Sequence, residues 1–160
     1  MKFIKGLIPY AVILLLVVII RSFIVTPVIV SGTSMYDTLN DGDILLLEKF
    51  DKNYERFDII IFDYNNTKLV KRVIGLPGEH VEYKDGKLYI NGNLVDEEFS
   101  SITADFNLEY LGYETIPDDY YFVMGDNRGK SSDSRVLGLI KSDSINGKAI
   151  FSIWPFTKID

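Results

Sequence analysis

The chain has 160 residues, no cysteine, one histidine and a formal net charge of -6. Its length suits one ordinary domain. Absent cysteine excludes disulfides, thiolate metal sites and a cysteine nucleophile; one histidine argues against a catalytic zinc; the acidic balance argues against nucleic acid as a partner. No metal and no cofactor are expected.

Lys2 and Lys5 precede an uncharged, largely apolar run from Gly6 to Ile20, closed by Arg21. The run is shorter than the roughly 20 residues that span a bilayer. Snorkelling of Lys5 and Arg21 toward the two headgroup layers makes up the difference. Residues 1–22 are therefore predicted to form a cytoplasmic tip and a single transmembrane helix, with the rest of the chain outside. A cleaved signal peptide is the alternative. The nearest small-residue site, Val30-Ser31-Gly32, lies too far beyond the run for ordinary cleavage.

Beyond the anchor no long helical period appears. Short β-rich runs alternate with turns, at Phe23–Val30, Asp43–Glu48, Asp58–Phe62 and Lys68–Ile74. Val81–Tyr83 and Leu88–Ile90 flank Lys84-Asp85-Gly86-Lys87, a hairpin signal, and Asn91-Gly92 makes a second turn. Residues 96–119 read as a looser acidic excursion. Tyr120–Met124 and Ala149–Trp154 complete the set. The prediction is a mostly β chain, with residues 23–160 a compact, largely antiparallel extracytoplasmic domain and residues 79–119 a small hairpin-containing excursion.

Ser31-Gly32-Thr33-Ser34-Met35 follows a β run and sets glycine beside a hydroxyl. Such a turn can expose a nucleophile and aim N–H groups at an oxyanion, although serine in a glycine turn is usually turn chemistry. A serine needs a base. His80, in Pro77-Gly78-Glu79-His80, reads as an ordinary surface residue. Lys71 stands among Leu69, Val70, Val73 and Ile74. Buried there, it would lose hydration and basicity, and its neutral amine could take the serine proton; at a strand end it would stay solvated. Gly125 to Arg135 packs arginines, aspartates and serines into a loop or a polar network.

In this order, the anchor, Ser31–Met35, Lys71–Glu79, Gly125–Arg128 and Ser131–Arg135 resemble the type I signal peptidases of the compact bacterial kind. The resemblance covers most of the chain. It implies Ser34 as acylating nucleophile and Lys71 as general base. It implies an oxyanion site at the Ser34 N–H with Gly32 near its other side, and Ser131 as a hydroxyl that orients the lysine. Arg72, Asp126, Asp133 and Arg135 match structural positions, and Met35 a place in or near a substrate cleft edged by Phe23–Val30. The implied substrates are exported preproteins with signal peptides, cut after Ala-x-Ala-like sites at the outer face of the cell membrane by a monomer.

Two departures stand out. Asp37 replaces the usual proline, and Phe57 replaces the glycine of Arg-Gly-Asp. A carboxylate at Asp37 that reached Lys71 would favour the charged amine. Self-cleaving repressors also use Ser–Lys pairs but lack an anchor and carry a DNA-binding domain. An impaired homologue or a membrane-tethered binding module is the alternative from another class.

Overall fold

A computed structural model describes residues 2–23, 25–98 and 102–159, with side chains described at 6–18, 26–98, 102–156 and 159. The apolar run forms helix α1 (Lys2–Phe23). Residues 6–18 are exposed, Leu14 at 65% and Ile13 at 59%. Among the described residues, no helix is long and apolar enough to cross a membrane. The expected transmembrane span is therefore not shown. The side chains of Lys5 and Arg21, needed for snorkelling, lie outside the described residues.

The rest is mostly antiparallel β, as expected. The strands are β1 (Val25–Ile29), β2 (Ile44–Glu48), β3 (Ile59–Tyr64), β4 (Thr67–Gly75), β5 (Val81–Lys84), β6 (Lys87–Ile90), β7 (Asn93–Val95) and β8 (Phe106–Asn107). They continue with β9 (Tyr120–Met124), the one-turn helix α2 (Ser134–Leu137), β10 (Ile140–Lys141), β11 (Ile145–Trp154) and β12 (Thr157–Lys158). The larger sheet runs β1-β2-β11-β3-β4-β9-β10, with β12 on β11. The smaller one runs β7-β6-β5-β8. Its β5–β6 hairpin pairs Val81 with Ile90 and Lys84 with Lys87, at the predicted turn.

Alternation sets the faces. In β2, Leu45 and Leu47 point inward between half-buried neighbours. β3 is central, and Ile59 through Phe62 are buried on both faces. β4 changes along its length. Thr67 and Lys68 are exposed, while Lys71 through Gly75 are buried. The cause is register: β3 pairs with Thr67 to Arg72, but β9 covers only Arg72 to Gly75. The first half of β4 is thus an open edge, and Lys71 sits where the strand enters the core.

β11 starts at Ile145, before the predicted Ala149. Asn146-Gly147 lies inside the strand, at a register shift against β3. A Cβ on Gly147 would meet Glu48 O at 2.2 Å, so the glycine there permits close approach of two backbones. The excursion also holds more order than predicted. It contains β8 and a 3-10 turn at Leu108–Leu111, with Asn107 Oδ1 accepting from Glu109 N–H at 2.8 Å. Residues 99–101 of that excursion lie outside the described residues.

Candidate active site

Ser34 sits in the loop joining β1 to β2. Val30 N–H donates to Asp43 O and Gly42 N–H to Val30 O, closing the loop at its base. Met35, only 1% exposed, plugs into a cluster with Val30, Leu39, Leu45, Leu47, Ile59 and Ile61. It is a core residue beneath the loop rather than an exposed lining residue. Thr38 and Leu39 N–H both donate to Met35 O, at 3.1 and 2.7 Å. A buried side chain next to the serine thus fixes where the hydroxyl points.

Lys71 is 2% exposed, and its Nζ lies 2.7 Å from Ser34 Oγ. It also donates to Val70 O at 2.9 Å. Burial lowers its pKa from 10.5 to about 8, against the opposing pull of Asp133 and Asp126. The amine is thus neutral far more often near neutral pH than an exposed lysine, and a neutral amine at this distance can take a hydroxyl proton. Asp37 is not among the charges that act on Lys71. It is exposed, and its φ of 79° is left-handed, a conformation closed to the proline usual at this position. His80 is apart from this pair, with Nδ1 against Glu114 O at 2.6 Å.

The neighbouring residue, Arg72, carries a buried ion pair. Its Nε and Nη2 meet Asp126 Oδ1 and Oδ2 at 2.9 and 2.8 Å, with both side chains 1% exposed. Arg72 Nη1 donates to Phe57 O at 2.8 Å. Phe57 keeps the left-handed backbone, φ 75°, that glycine would adopt without strain. Thr38 Oγ1 donates to Asp126 Oδ2 at 2.6 Å, tying the Ser34 loop to the same pair. Fork-to-carboxylate geometry with every polar atom used makes this a rigid strut.

A second strut holds the loop after β9. Asp133 is fully buried and caps α2. It accepts from Arg135 Nε at 2.8 Å, Arg135 Nη2 at 2.9 Å and Gly125 N–H at 3.1 Å. Gly125 O accepts from Arg128 Nε at 3.1 Å. Arg128 continues to Glu97 Oε1 at 2.6 Å, Tyr83 Oη at 2.9 Å and Thr103 Oγ1 at 2.7 Å, so the smaller sheet grips the same loop. Burial pushes the Tyr83 phenol well above its usual pKa, which keeps it neutral in this network.

Two expected contacts take another form. Ser131 makes no hydrogen bond to Lys71. The amine is engaged by Ser34 and Val70, and Ser131 Oγ is buried without a partner against Gly125. Gly32 N–H donates to Asp41 Oδ1 at 2.8 Å, so this amide is already engaged. Gly32 contributes its left-handed φ of 96° and open space around its Cα. Among the described residues no acceptor takes the Ser34 N–H. Nor does any group of three His, Cys, Asp or Glu stand ready for a metal ion.

The sequence model of the family described as "Signal peptidase, peptidase S26" matches residues 3–154. The chain belongs to this family. It is 40% identical over 163 residues to a signal peptidase I of Bacillus caldolyticus, covering 92% of this chain and 90% of that one. A signal peptidase IB of Staphylococcus aureus is 37% identical over 176 residues, covering 98% and 92%. The crystal structure of a signal peptidase I from Enterococcus faecalis superposes with a TM-score of 0.57 at 43% identity, over 60% of this chain and 96% of that one. As an S26 peptidase the chain is a serine peptidase, a hydrolase.

Asn127 lies inside the Gly125–Arg128 motif but is given no role there by the sequence, and it holds the Ser34 loop. Its N–H donates to Ser34 O and its Nδ2 to Thr33 O, each at 3.0 Å. Its position directly after Asp126 was the available signal.

Proposed function

We propose that the chain is a membrane-bound endopeptidase that removes signal peptides from exported preproteins by a Ser34–Lys71 mechanism. The observation that carries this reading is the 2.7 Å separation of Lys71 Nζ from Ser34 Oγ, with the amine buried. Neutral Lys71 takes the hydroxyl proton as Ser34 Oγ attacks the scissile carbonyl carbon. The proton then passes to the leaving amine as the peptide bond breaks, leaving an acyl ester on Ser34. Water attacks the ester, Lys71 receives its proton, and the carboxyl product departs as Ser34 regains its hydrogen. The Ser34 N–H faces the developing oxyanion.

An extended substrate fits between two edges, β1 and the uncovered half of β4. Val28 and Val70 are half-buried hydrophobics packed against the cluster that contains Met35, and an apolar surface of this kind suits small side chains at the first and third positions before the cut. Such a surface accords with Ala-x-Ala-like sites. The helix α1 is the anchor in this reading, with a cytoplasmic N-terminus and residues 23–160 outside. Its support is the uncharged, largely apolar sequence from Gly6 to Ile20 and the lysines before it.

The test uses purified full-length chain and a preprotein with an Ala-x-Ala site. Cleavage at that site is expected, with a loss of about 10⁴-fold or more in Ser34→Ala and in Lys71→Ala. Full activity in either variant refutes the mechanism. Fractionation with membranes, resistant to alkaline carbonate, is expected for the anchor; release into the soluble fraction refutes it.

A further inference from the structure

Residues two apart on a strand share a face. Near Ser34, the face that packs on Met35 carries Val28 of β1, Leu45 and Leu47 of β2, and Val70 of β4. One step farther from Ser34 come Thr26 on β1, Lys68 on β4 and Lys49, the residue that follows the end of β2. The lining turns from apolar to polar at all three positions. These residues, with Val28, Leu47 and Asn146, line an open pocket of about 280 Å³. Lys68 is locally neutralised, since its Nζ donates to Asp63 Oδ1 at 2.7 Å and to Asn146 Oδ1. Lys49 is half-buried, and no carboxylate among the described residues pairs with it.

A peptide whose scissile carbonyl lies at Ser34 sends its upstream residues along β1 and β4, away from the loop. Its first, third and fifth residues before the cut face this lining together. At about 3.3 Å per residue the fifth lies roughly 13 Å upstream of the first. Lys68 lies one two-residue step, about 7 Å, beyond Val70 on β4, the same step that separates the fifth residue from the third, and Lys68 lines the pocket. We propose that this pocket is a subsite for the fifth residue before the cut, taking an acidic or hydrogen-bonding side chain, with Lys49 as its charge. The inference rests on the signal-peptide reading above and extends it.

The experiment uses the full chain in nonionic detergent with peptides identical except for Glu, Gln or Lys at the fifth position before an Ala-x-Ala site. The expected order of kcat/KM is Glu above Gln above Lys, with Glu over Lys about fivefold and less at high salt. Lys49→Ala flattens the order and Lys49→Glu reverses it. Because each variant is read as a ratio between peptides, a general loss of activity does not mimic the result. Equal cleavage of the three peptides by the wild type, or an unchanged ratio in Lys49→Glu, overturns the subsite alone. Dependence on Lys49 that emerges only with vesicles of anionic phospholipid, whatever the peptide, also overturns it and assigns the pocket to a lipid headgroup. No cleavage of any peptide by the wild type overturns the functional reading and the subsite with it.

Discussion

Asn127 holds the peptide of Ser34 from across the site, its main-chain N–H donating to Ser34 O at 3.0 Å. Its side chain adds a bond from Nδ2 to Thr33 O at 3.0 Å. Asn127→Ala removes the second bond and keeps the first. The expected result is a fall in kcat of roughly tenfold with KM and Tm nearly unchanged. A small misplacement of a nucleophile costs much rate, whereas one exposed hydrogen bond costs little stability. Steady-state kinetics beside thermal unfolding separates the two.

Gly125 leaves no room for a side chain. A Cβ there would lie 2.3 Å from Ser131 Oγ and 2.4 Å from Ser34 O. The backbone cannot retreat easily, because Asp133 holds the Gly125 N–H and Arg128 holds its carbonyl. Gly125→Ala is therefore expected to push the Ser34 backbone out of line. A loss of about 100-fold in kcat/KM with an unchanged circular dichroism spectrum is the predicted outcome. A wild-type rate would show that the loop after β9 yields instead.

Local chemistry alone left Ser34 and Lys71 ambiguous, and burial is what decides their behaviour. The apolar neighbours of Lys71 were visible in sequence. That β9 begins to cover β4 at Arg72 was not, because it depends on pairing with a strand far along the chain. The same holds for the struts. Asp126, Asp133 and the arginines were legible as a polar cluster, but Thr38 reaches Asp126 across 88 positions and Arg128 reaches Glu97 across 31. Ser131 was expected to orient Lys71 because of its place in the motif. In the fold it abuts Gly125, and the contact that steadies the amine is the Val70 carbonyl.

Lys71 should set a pH dependence in both rate and stability. Burial lowers its pKa from 10.5 to about 8. For the rate, kcat/KM is expected to rise with pH through an apparent pKa near 8, as the neutral base accumulates. For stability, the folded pKa lies below the unfolded one, so the unfolded chain binds more protons between them. Stability therefore rises as pH climbs from about 8 to 10.5, and below 8 the cost of the buried charge is fully present. Lys71→Met removes that cost. It should be inactive, more stable than wild type at pH 7 by on the order of 3 kcal/mol, and without the rise in stability that Lys71 causes above pH 8. Urea unfolding at pH 7 and pH 10 measures the difference. A variant less stable at both values would mean that the amine's contacts outweigh its desolvation.

The Arg128–Glu97 pair ties the loop after β9 to the segment that follows β7. Both side chains are nearly sealed, 1% and 4% exposed, and Arg128 also takes Tyr83 Oη and Thr103 Oγ1. Its Nε donates to Gly125 O, so the pair bears on the residue that abuts Ser34. Glu97→Gln keeps the shape but removes the compensating charge. It should destabilise the chain by about 3 kcal/mol, the scale for breaking a buried pair from one side. Replacing both partners, Glu97→Leu with Arg128→Met, removes the uncompensated charge and should restore much of that stability. It cannot restore the bond to Gly125 O. The double variant is therefore expected to fold well yet cleave roughly tenfold more slowly, with the loss in kcat. Recovery of stability and rate together would reduce the pair to a structural role. Recovery of stability alone separates the grip on Gly125 from the packing of the smaller sheet.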